Sequence, residues 1–288
     1  MDARGVIAFC WRTVLSSLIL SALFSAASIM VGLTSPLQFP NPLASLCGLI
    51  LMCLLDAAIL GYLVIRSRWS GWRLVLGVFF AFFCVKTFLS QIETLVFLRY
   101  LVEIVSAEML PKFFAQGAVT ALLFSPVLVL VHERMRKSEA LQGSGGRLIM
   151  PKKEWAWKFA SIAVIYVITY ILFGMLVFRP LAGKAFEEYY AGLQLPWWIL
   201  PFQAVRGLMW AAIAILVVRM MRGSWWEAGL TTSLLFSVLM SSSLLIPTEI
   251  MPESIRIAHF VEIFSSNFLF GWIAVWLLHL RGRIPCQS

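Results

Sequence analysis

The sequence predicts an all-α polytopic membrane protein, with eight transmembrane helices arranged as two parallel four-helix repeats. Hydrophobic residues make up 61% of the chain and charged residues 13%, whereas soluble domains hold roughly 45–50% and about 25%. The apolar residues form runs of about 20 residues, the length that crosses a hydrocarbon layer about 30 Å thick. Similar short segments also occur in the same order in the two halves of the chain.

Each apolar run is interpreted as a membrane-spanning helix. An open sheet cannot satisfy its backbone hydrogen bonds in lipid, and the runs lack the alternation of barrel strands. The runs lie near residues 14–34, 42–65, 74–92, 113–131, 155–178, 196–218, 229–246 and 257–280. The first run is longer than the apolar part of a typical cleaved signal, so we expect it to be a retained helix.

The best internal match joins the ends of the second and sixth runs. Leu63–Arg66 is followed by Trp72, and Leu216–Arg219 is followed at the same distance by Trp225. Other weak matches keep the same order along both halves. This order predicts a duplication in which each copy contributes four spans.

Basic residues concentrate at one set of span ends. The positive-inside rule therefore places both termini and the central linker in the cytoplasm, and an even number of spans per half gives the halves the same orientation. The predicted units are a first membrane repeat at 1–136, a cytoplasmic linker at 137–152 and a second membrane repeat at 153–288. We expect a bacterial plasma membrane as the location. Topology explains the net charge of +9, so nucleic acid is not an expected partner.

Polar residues at the start of the last span, with one glutamate from the third span, form the first candidate site. A histidine that titrates near neutral pH and glutamate oxygens suit a proton, a cation or a polar substrate. The alternative is a structural network of ion pairs and helix-to-helix hydrogen bonds. The candidate substrate or ion-site residues are Glu93, Glu249, Glu253, Arg256, His259, Glu262 and Asn267.

Ionisable residues inside spans form the second candidate site. Asp56 in span two and Arg206 in span six lie at similar depths if the repeat holds. Facing each other across the pseudo-two-fold axis, they would form a midplane ion pair of the kind found at transporter gates. The alternative is that each charge has another partner, and Lys86 is available to Asp56.

Three classes of function remain open at this point. The repeat and the intramembrane charges favour a transporter-like carrier of an ion or small polar solute. The histidine and glutamates would also suit an intramembrane enzyme, metal-assisted or acid/base, whereas a membrane subunit or scaffold needs none of these groups. The chain has no P-loop signature, and no motif identifies a metal or cofactor, so both stay unknown. The expected partners are the bilayer, a small solute or ion, and either another protein or a second copy.

Overall fold

The computed structural model is all-helical and describes residues 3–33, 41–101, 108–136, 148, 150–191, 195–248 and 251–280, without the side chains of residues 3 and 97–101. Within these residues, eight helices are long and apolar enough to cross a membrane, which confirms the predicted number of spans. The helices are α1 (Ala3–Met30), α2 (Pro42–Ile65), α3 (Gly71–Phe83), α4 (Leu89–Leu101), α5 (Met109–Val131), α6 (Lys152–Phe173), α7 (Arg179–Ala182), α8 (Lys184–Tyr189), α9 (Ile199–Met220), α10 (Trp225–Ser241) and α11 (Glu253–His279).

Three spans combine more than one type of helix. A π-helical turn at Cys84–Phe88 joins α3 to α4, and a second one at Gly174–Phe178 joins α6 to α7. A 3₁₀ turn at Ser242–Leu245 extends α10. Such turns change which side chains face a neighbouring helix, and π-turns often lie at functional sites.

The first helix begins earlier than its apolar run predicts. It starts at Ala3 rather than near residue 14 and includes Arg12, which forms an ion pair with Glu133 at 2.5 Å. The apolar run marks the part of a helix that lipid covers, whereas the helix itself continues into the interface.

The spans have two sets of ends. We call the set that includes the end of α5 and the start of α6 the linker face, and the set that includes the starts of α5 and α11 the opposite face. At the linker face, the residues after α5 approach the start of α3, and the amide of Gly71 donates to the carbonyl of Arg134 at 2.9 Å. At the opposite face, the hydroxyl of Ser45 donates to the carbonyl of Pro247 at 2.9 Å. The two halves of the chain therefore contact each other at the opposite face as well as within the bundle.

Helix packing follows the same pattern in the two halves. In the first half α1 packs against α2 and α5, and α3 packs against α5. In the second half α6 packs against α9 and α11, and α10 packs against α11. Across the halves, α2 packs against α10, and α9 packs against α3. The second span of each half thus contacts the third span of the other, and one hydrophobic core includes residues of both.

The loops after α2 and α9 form a reciprocal contact at the linker face. Ser67 and Met221 form an isolated antiparallel bridge. The amide of Arg68 donates to the carbonyl of Met220 at 2.7 Å, and the amide of Arg222 donates to the carbonyl of Arg66 at 2.9 Å. These two hydrogen bonds fix the ends of α2 and α9 to each other.

Candidate functional site

Asp56 lies within a three-residue polar network at the centre of the bundle. Its side chain is fully buried, and one carboxylate oxygen lies 2.9 Å from the ammonium nitrogen of Lys86. The Ser242 hydroxyl donates to the other carboxylate oxygen at 2.7 Å and accepts a hydrogen bond from Lys86 at 2.6 Å. Ser242 belongs to the second half of the chain, so the network connects both halves.

A cavity of about 190 Å³ lies next to this network. It is smaller than the roughly 300–1,000 Å³ of sites for drug-sized ligands, so it suits an ion or a small solute. Aromatic rings cover part of its wall, and charged, amide and hydroxyl groups cover the rest. The lining residues include Phe24, Asp56, Phe83, Lys86, Gln91, Phe113, Gln116 and Thr120.

Two polar oxygens in the cavity wall are buried without a hydrogen-bond partner in the described part of the chain. They are Oε1 of Gln91 and Oγ1 of Thr120. The amide of Gln116 differs, because it donates to the hydroxyl of Ser28 at 2.5 Å. Most buried polar atoms in proteins are paired, so an unpaired oxygen beside a cavity indicates a place where a ligand could donate a hydrogen bond.

The cavity reaches from the middle of the bundle towards the opposite face. At 1.5 Å per residue, Asp56 lies roughly 21 Å from the Pro42 end of α2 and roughly 14 Å from its other end. Thr120 lies at the midpoint of α5, whereas Phe113 is only about 6 Å from the end of α5 at the opposite face. The charged pair is therefore at the deep end of the cavity.

Asp56 and Arg206 do not form an ion pair with each other in the structure. The alternative partner, Lys86, is the one that Asp56 contacts. Arg206 instead lies 2.8 Å from a carboxylate oxygen of Glu93, donates to the carbonyl of Leu89 at 3.0 Å, and donates to Gln203 at 2.8 Å. The prediction of a direct pair is wrong because the helices turn the two side chains towards different neighbours.

Glu93 therefore contributes to a second contact between the halves. It lies in α4, whereas Arg206 and Gln203 lie in α9. Arg206 is 1% exposed, and the side chain of Glu93 is 26% exposed. A buried guanidinium without a counter-charge is costly, so loss of Glu93 would weaken the contact between α9 and the third span.

His259 and Glu262 lie in contact near the start of α11. Nδ1 of His259 is 3.4 Å from a carboxylate oxygen of Glu262, and Nε2 is 2.9 Å from the hydroxyl of Tyr190. The ring of Phe178 stacks on the imidazole with centroids 3.9 Å apart. Both ring nitrogens have a partner, so metal binding by His259 would require one of these contacts to break.

Glu93 and Glu262 both act electrostatically on Tyr190, which lies in the loop after α8. Burial raises the pKa of Tyr190, and the charges of Tyr189, Glu262 and Glu93 raise it further. The two carboxylates are thus close enough to influence one phenol, although Glu93 contacts Arg206 and Glu262 contacts His259.

The remaining residues of the first candidate site are dispersed along α11. Glu253 is exposed and 3.9 Å from Arg256, whose other terminal nitrogen donates to the carbonyl of Leu244 at 2.7 Å. Asn267 donates to the carbonyl of Ile263 in its own helix at 2.8 Å. Glu249 lies outside the described residues.

The cavity has a signal in the sequence, although neither predicted site includes its uncharged residues. Thr87 and Gln91 are four residues apart in span three, and Gln116 and Thr120 are four residues apart in span four. Residues at this spacing share one face of a helix, and polar side chains inside spans face the protein interior. Two polar stripes on neighbouring spans predict a polar surface between them.

No protein-family model, curated protein or solved structure matches the chain. Within the described residues, no group of three or more histidine, cysteine, aspartate and glutamate side chains is arranged to hold a metal ion.

Proposed function

We propose that this integral membrane protein is a carrier of an ion or small polar solute, and that the solute binds in the cavity beside Asp56 and Lys86. The observation that carries the proposal is a cavity inside the apolar spans with a charged pair at its deep end and two unpaired oxygens in its wall. Charged groups at this depth in a membrane are costly and commonly belong to a transport pathway.

The network beside the cavity suggests how binding would be coupled to movement. Lys86 and Asp56 come from the first half, and Ser242 from the second. A solute that bonds to the ammonium or the carboxylate competes with the Ser242 hydroxyl. Binding would therefore weaken one contact between the halves, which is the kind of differential interaction that shifts a conformational equilibrium.

We also propose that the two halves are parallel repeats. The matching helix contacts of the two halves support this, as does the reciprocal bonding around Ser67 and Met221. Each half contributes a buried ionisable residue from its second span to the third span of the other half, Asp56 in one case and Arg206 in the other. Carriers built from repeats commonly bind their solute near the midplane, between units that move relative to one another.

For the polar stripe of α11 we propose a supporting role. His259 lies between Phe178, Tyr190 and Glu262, and Phe178 belongs to a small apolar cluster that also includes Ile255. These contacts hold α7 and α8 against the start of α11. The stripe would thereby fix the opposite-face end of the last span while the solute binds deeper in the bundle.

The test is a search for stabilising solutes followed by measurement of flux. A solute that binds the folded state raises the thermal midpoint of the purified protein. Inorganic ions and small polar solutes are screened in this way, and those that bind are tested for entry into liposomes containing the protein. We expect at least one to enter faster than into protein-free liposomes.

The cavity is then tested with matched pairs of substitutions. The variant Asp56→Asn/Lys86→Met removes the charged pair of the cavity. The control Glu154→Gln/Lys158→Met removes another buried pair, whose atoms are 2.8 Å apart at the linker end of α6. Flux should be lost in the first variant and kept in the second. Equal loss in both, or the absence of flux for every solute in the panel, would reject the proposal.

A further inference from the structure

Three segments meet at the linker face and bring their arginines together. They are the loop after α2, the loop between α9 and α10, and the residues that follow α5. The hydrogen bonds of Gly71 with Arg134 and of Arg68 with Met220 hold them in contact. We call the resulting group the arginine junction; it comprises Arg66, Arg68, Arg134 and Arg222 from these segments and Arg73 from the first turn of α3.

Several of these guanidinium groups donate to backbone carbonyls. Arg68 donates to Met221 at 2.6 Å, and Arg222 donates to Ile65, the last residue of α2, at 2.5 Å. Arg134 donates to Ser67 at 2.5 Å and to Trp69 at 3.1 Å. The bonds of Arg222 and Arg68 place positive charges at the C-terminal, negative ends of the α2 and α9 dipoles, which accounts for part of the arrangement.

Among the residues that the structure describes, the arginines of the junction outnumber the carboxylates that contact them. Within the described residues, Glu227 is the acid that contacts it, and both of its oxygens accept hydrogen bonds from Arg66. The nearby Glu133 forms its ion pair with Arg12 instead. In the described part of the chain, several guanidinium groups of the junction therefore share one contacting carboxylate.

The arginines act unfavourably on one another. Burial and the charge of Arg73 lower the pKa of Arg68, and burial and the charge of Arg222 lower the pKa of Arg134. Nε of Arg134 and Nε of Arg222 are buried without a hydrogen-bond partner in the described part of the chain. Like charges held this close favour an anion between or beside them.

We propose that the arginine junction binds a phosphate group. Guanidinium groups match the geometry of phosphate oxygens, and basic pockets between spans commonly hold lipid headgroups. The side chain of Arg66 is 39% exposed, and Arg73 is exposed with its guanidinium 4.2 Å from the centre of the Trp69 ring. A phosphate that approaches from the membrane surface can therefore reach both residues. Its source is either an anionic phospholipid or free phosphate, and the junction works independently of the Asp56 cavity.

The test compares two sources of phosphate on the full-length protein. Native mass spectrometry measures retention of phosphatidylglycerol, with phosphatidylcholine as the zwitterionic reference, and calorimetry measures binding of inorganic phosphate in detergent. We expect selective retention of phosphatidylglycerol if the ligand is a lipid, and a calorimetric signal without lipid if it is free phosphate. Absence of both would overturn the proposal.

Charge-removing variants separate a site from general attraction to the surface. One basic residue near an anionic membrane contributes about fivefold to affinity. Lys153→Gln, an exposed position in the first turn of α6, serves as the control and should reduce binding by no more than that. Arg68→Gln and Arg73→Gln should each reduce binding more than about tenfold, because each removes a guanidinium group from the site. Equal losses in the control and in Arg73→Gln would contradict a built site, and Arg73 is suited to this comparison because its side chain is exposed.

Discussion

Replacement of Thr120 by valine should stabilise the protein while it weakens solute binding. Thr120 is 2% exposed, lines the cavity and has no hydrogen-bond partner for Oγ1 among the described residues. A buried polar group without a partner costs about 1–3 kcal/mol. Valine has nearly the same shape as threonine, so we expect the free energy of unfolding to rise by about 1 kcal/mol. This is the lower end of the range, because water in the adjacent cavity can partly hydrate the Thr120 hydroxyl.

The matched control is the same substitution at a bonded threonine. Thr232 is fully buried in α10, and its hydroxyl donates to the carbonyl of Ala228 at 2.7 Å. Loss of this bond should lower the stability by about 0.5–1.5 kcal/mol. The two variants are therefore expected to shift in opposite directions, although both exchange a hydroxyl for a methyl group inside a span.

The assay is thermal unfolding in detergent, followed by tryptophan fluorescence and repeated with a solute identified in the flux screen. A change of about 1 kcal/mol shifts the midpoint by about 2–4 °C in chains of about 150–250 residues. We expect Thr120→Val to raise the midpoint and to reduce the further increase that the solute causes. A decrease as large as that of Thr232→Val would refute the reasoning, because it would mean that the Thr120 hydroxyl already has a partner.

Three further predictions concern stability and topology. Glu93→Met should destabilise the protein by about 3–5 kcal/mol in denaturant titration, because it leaves the buried guanidinium of Arg206 without a counter-charge. Arg206→Met should cost less, since Glu93 is partly exposed, and the reverse order would contradict this explanation. Burial, followed by the charge of Arg12, lowers the pKa of His132 from 6.5 to about 4. The unfolded chain therefore binds more protons than the folded chain between these pH values, and the free energy of unfolding should fall by about 2 kcal/mol from about pH 7 to about pH 5. His132→Phe should remove this part of the pH dependence. In a cysteine-free chain, a membrane-impermeant thiol reagent should label Glu187→Cys from outside intact cells and Ser224→Cys only after permeabilisation. The opposite pattern would contradict the orientation predicted from the basic residues.

The spans were predictable because hydropathy reports directly on burial in lipid. Length and composition were sufficient to find all eight within the described residues. The start of α1 was not predictable from the same signal, since Arg12 is polar but continues the helix and binds Glu133. Hydropathy locates the lipid-covered part of a helix and not its ends.

The pairing of the buried charges required information that the sequence does not contain. Depth along a helix follows from residue number, so Asp56 and Arg206 could be placed at similar levels. The direction of each side chain depends on how the helices pack, and the π-turn at Cys84–Phe88 changes that direction for Lys86. Lys86 therefore meets Asp56, and Arg206 meets Glu93.

The cavity was partly predictable from the sequence, although its signal lies in residues without charge. Gln91, Gln116 and Thr120 are uncharged, and each alone is an ordinary packing residue in a span. Their four-residue spacings on neighbouring spans carry the information. The contribution of Ser242, by contrast, depends on contact between α10 and α2 across the two halves, which only the structure provides.

The measurement that tests the central claim most directly is the reactivity of a cysteine placed in the cavity. Thr120→Cys in a cysteine-free chain is exposed to a small, charged thiol reagent in intact membranes, with Thr232→Cys as the buried control. The proposed carrier function predicts that Thr120→Cys reacts, that a transported solute slows the reaction, and that Thr232→Cys stays unmodified. If Thr120→Cys is as unreactive as the control, polar solutes do not reach the cavity, and the proposal that it binds a transported solute is wrong.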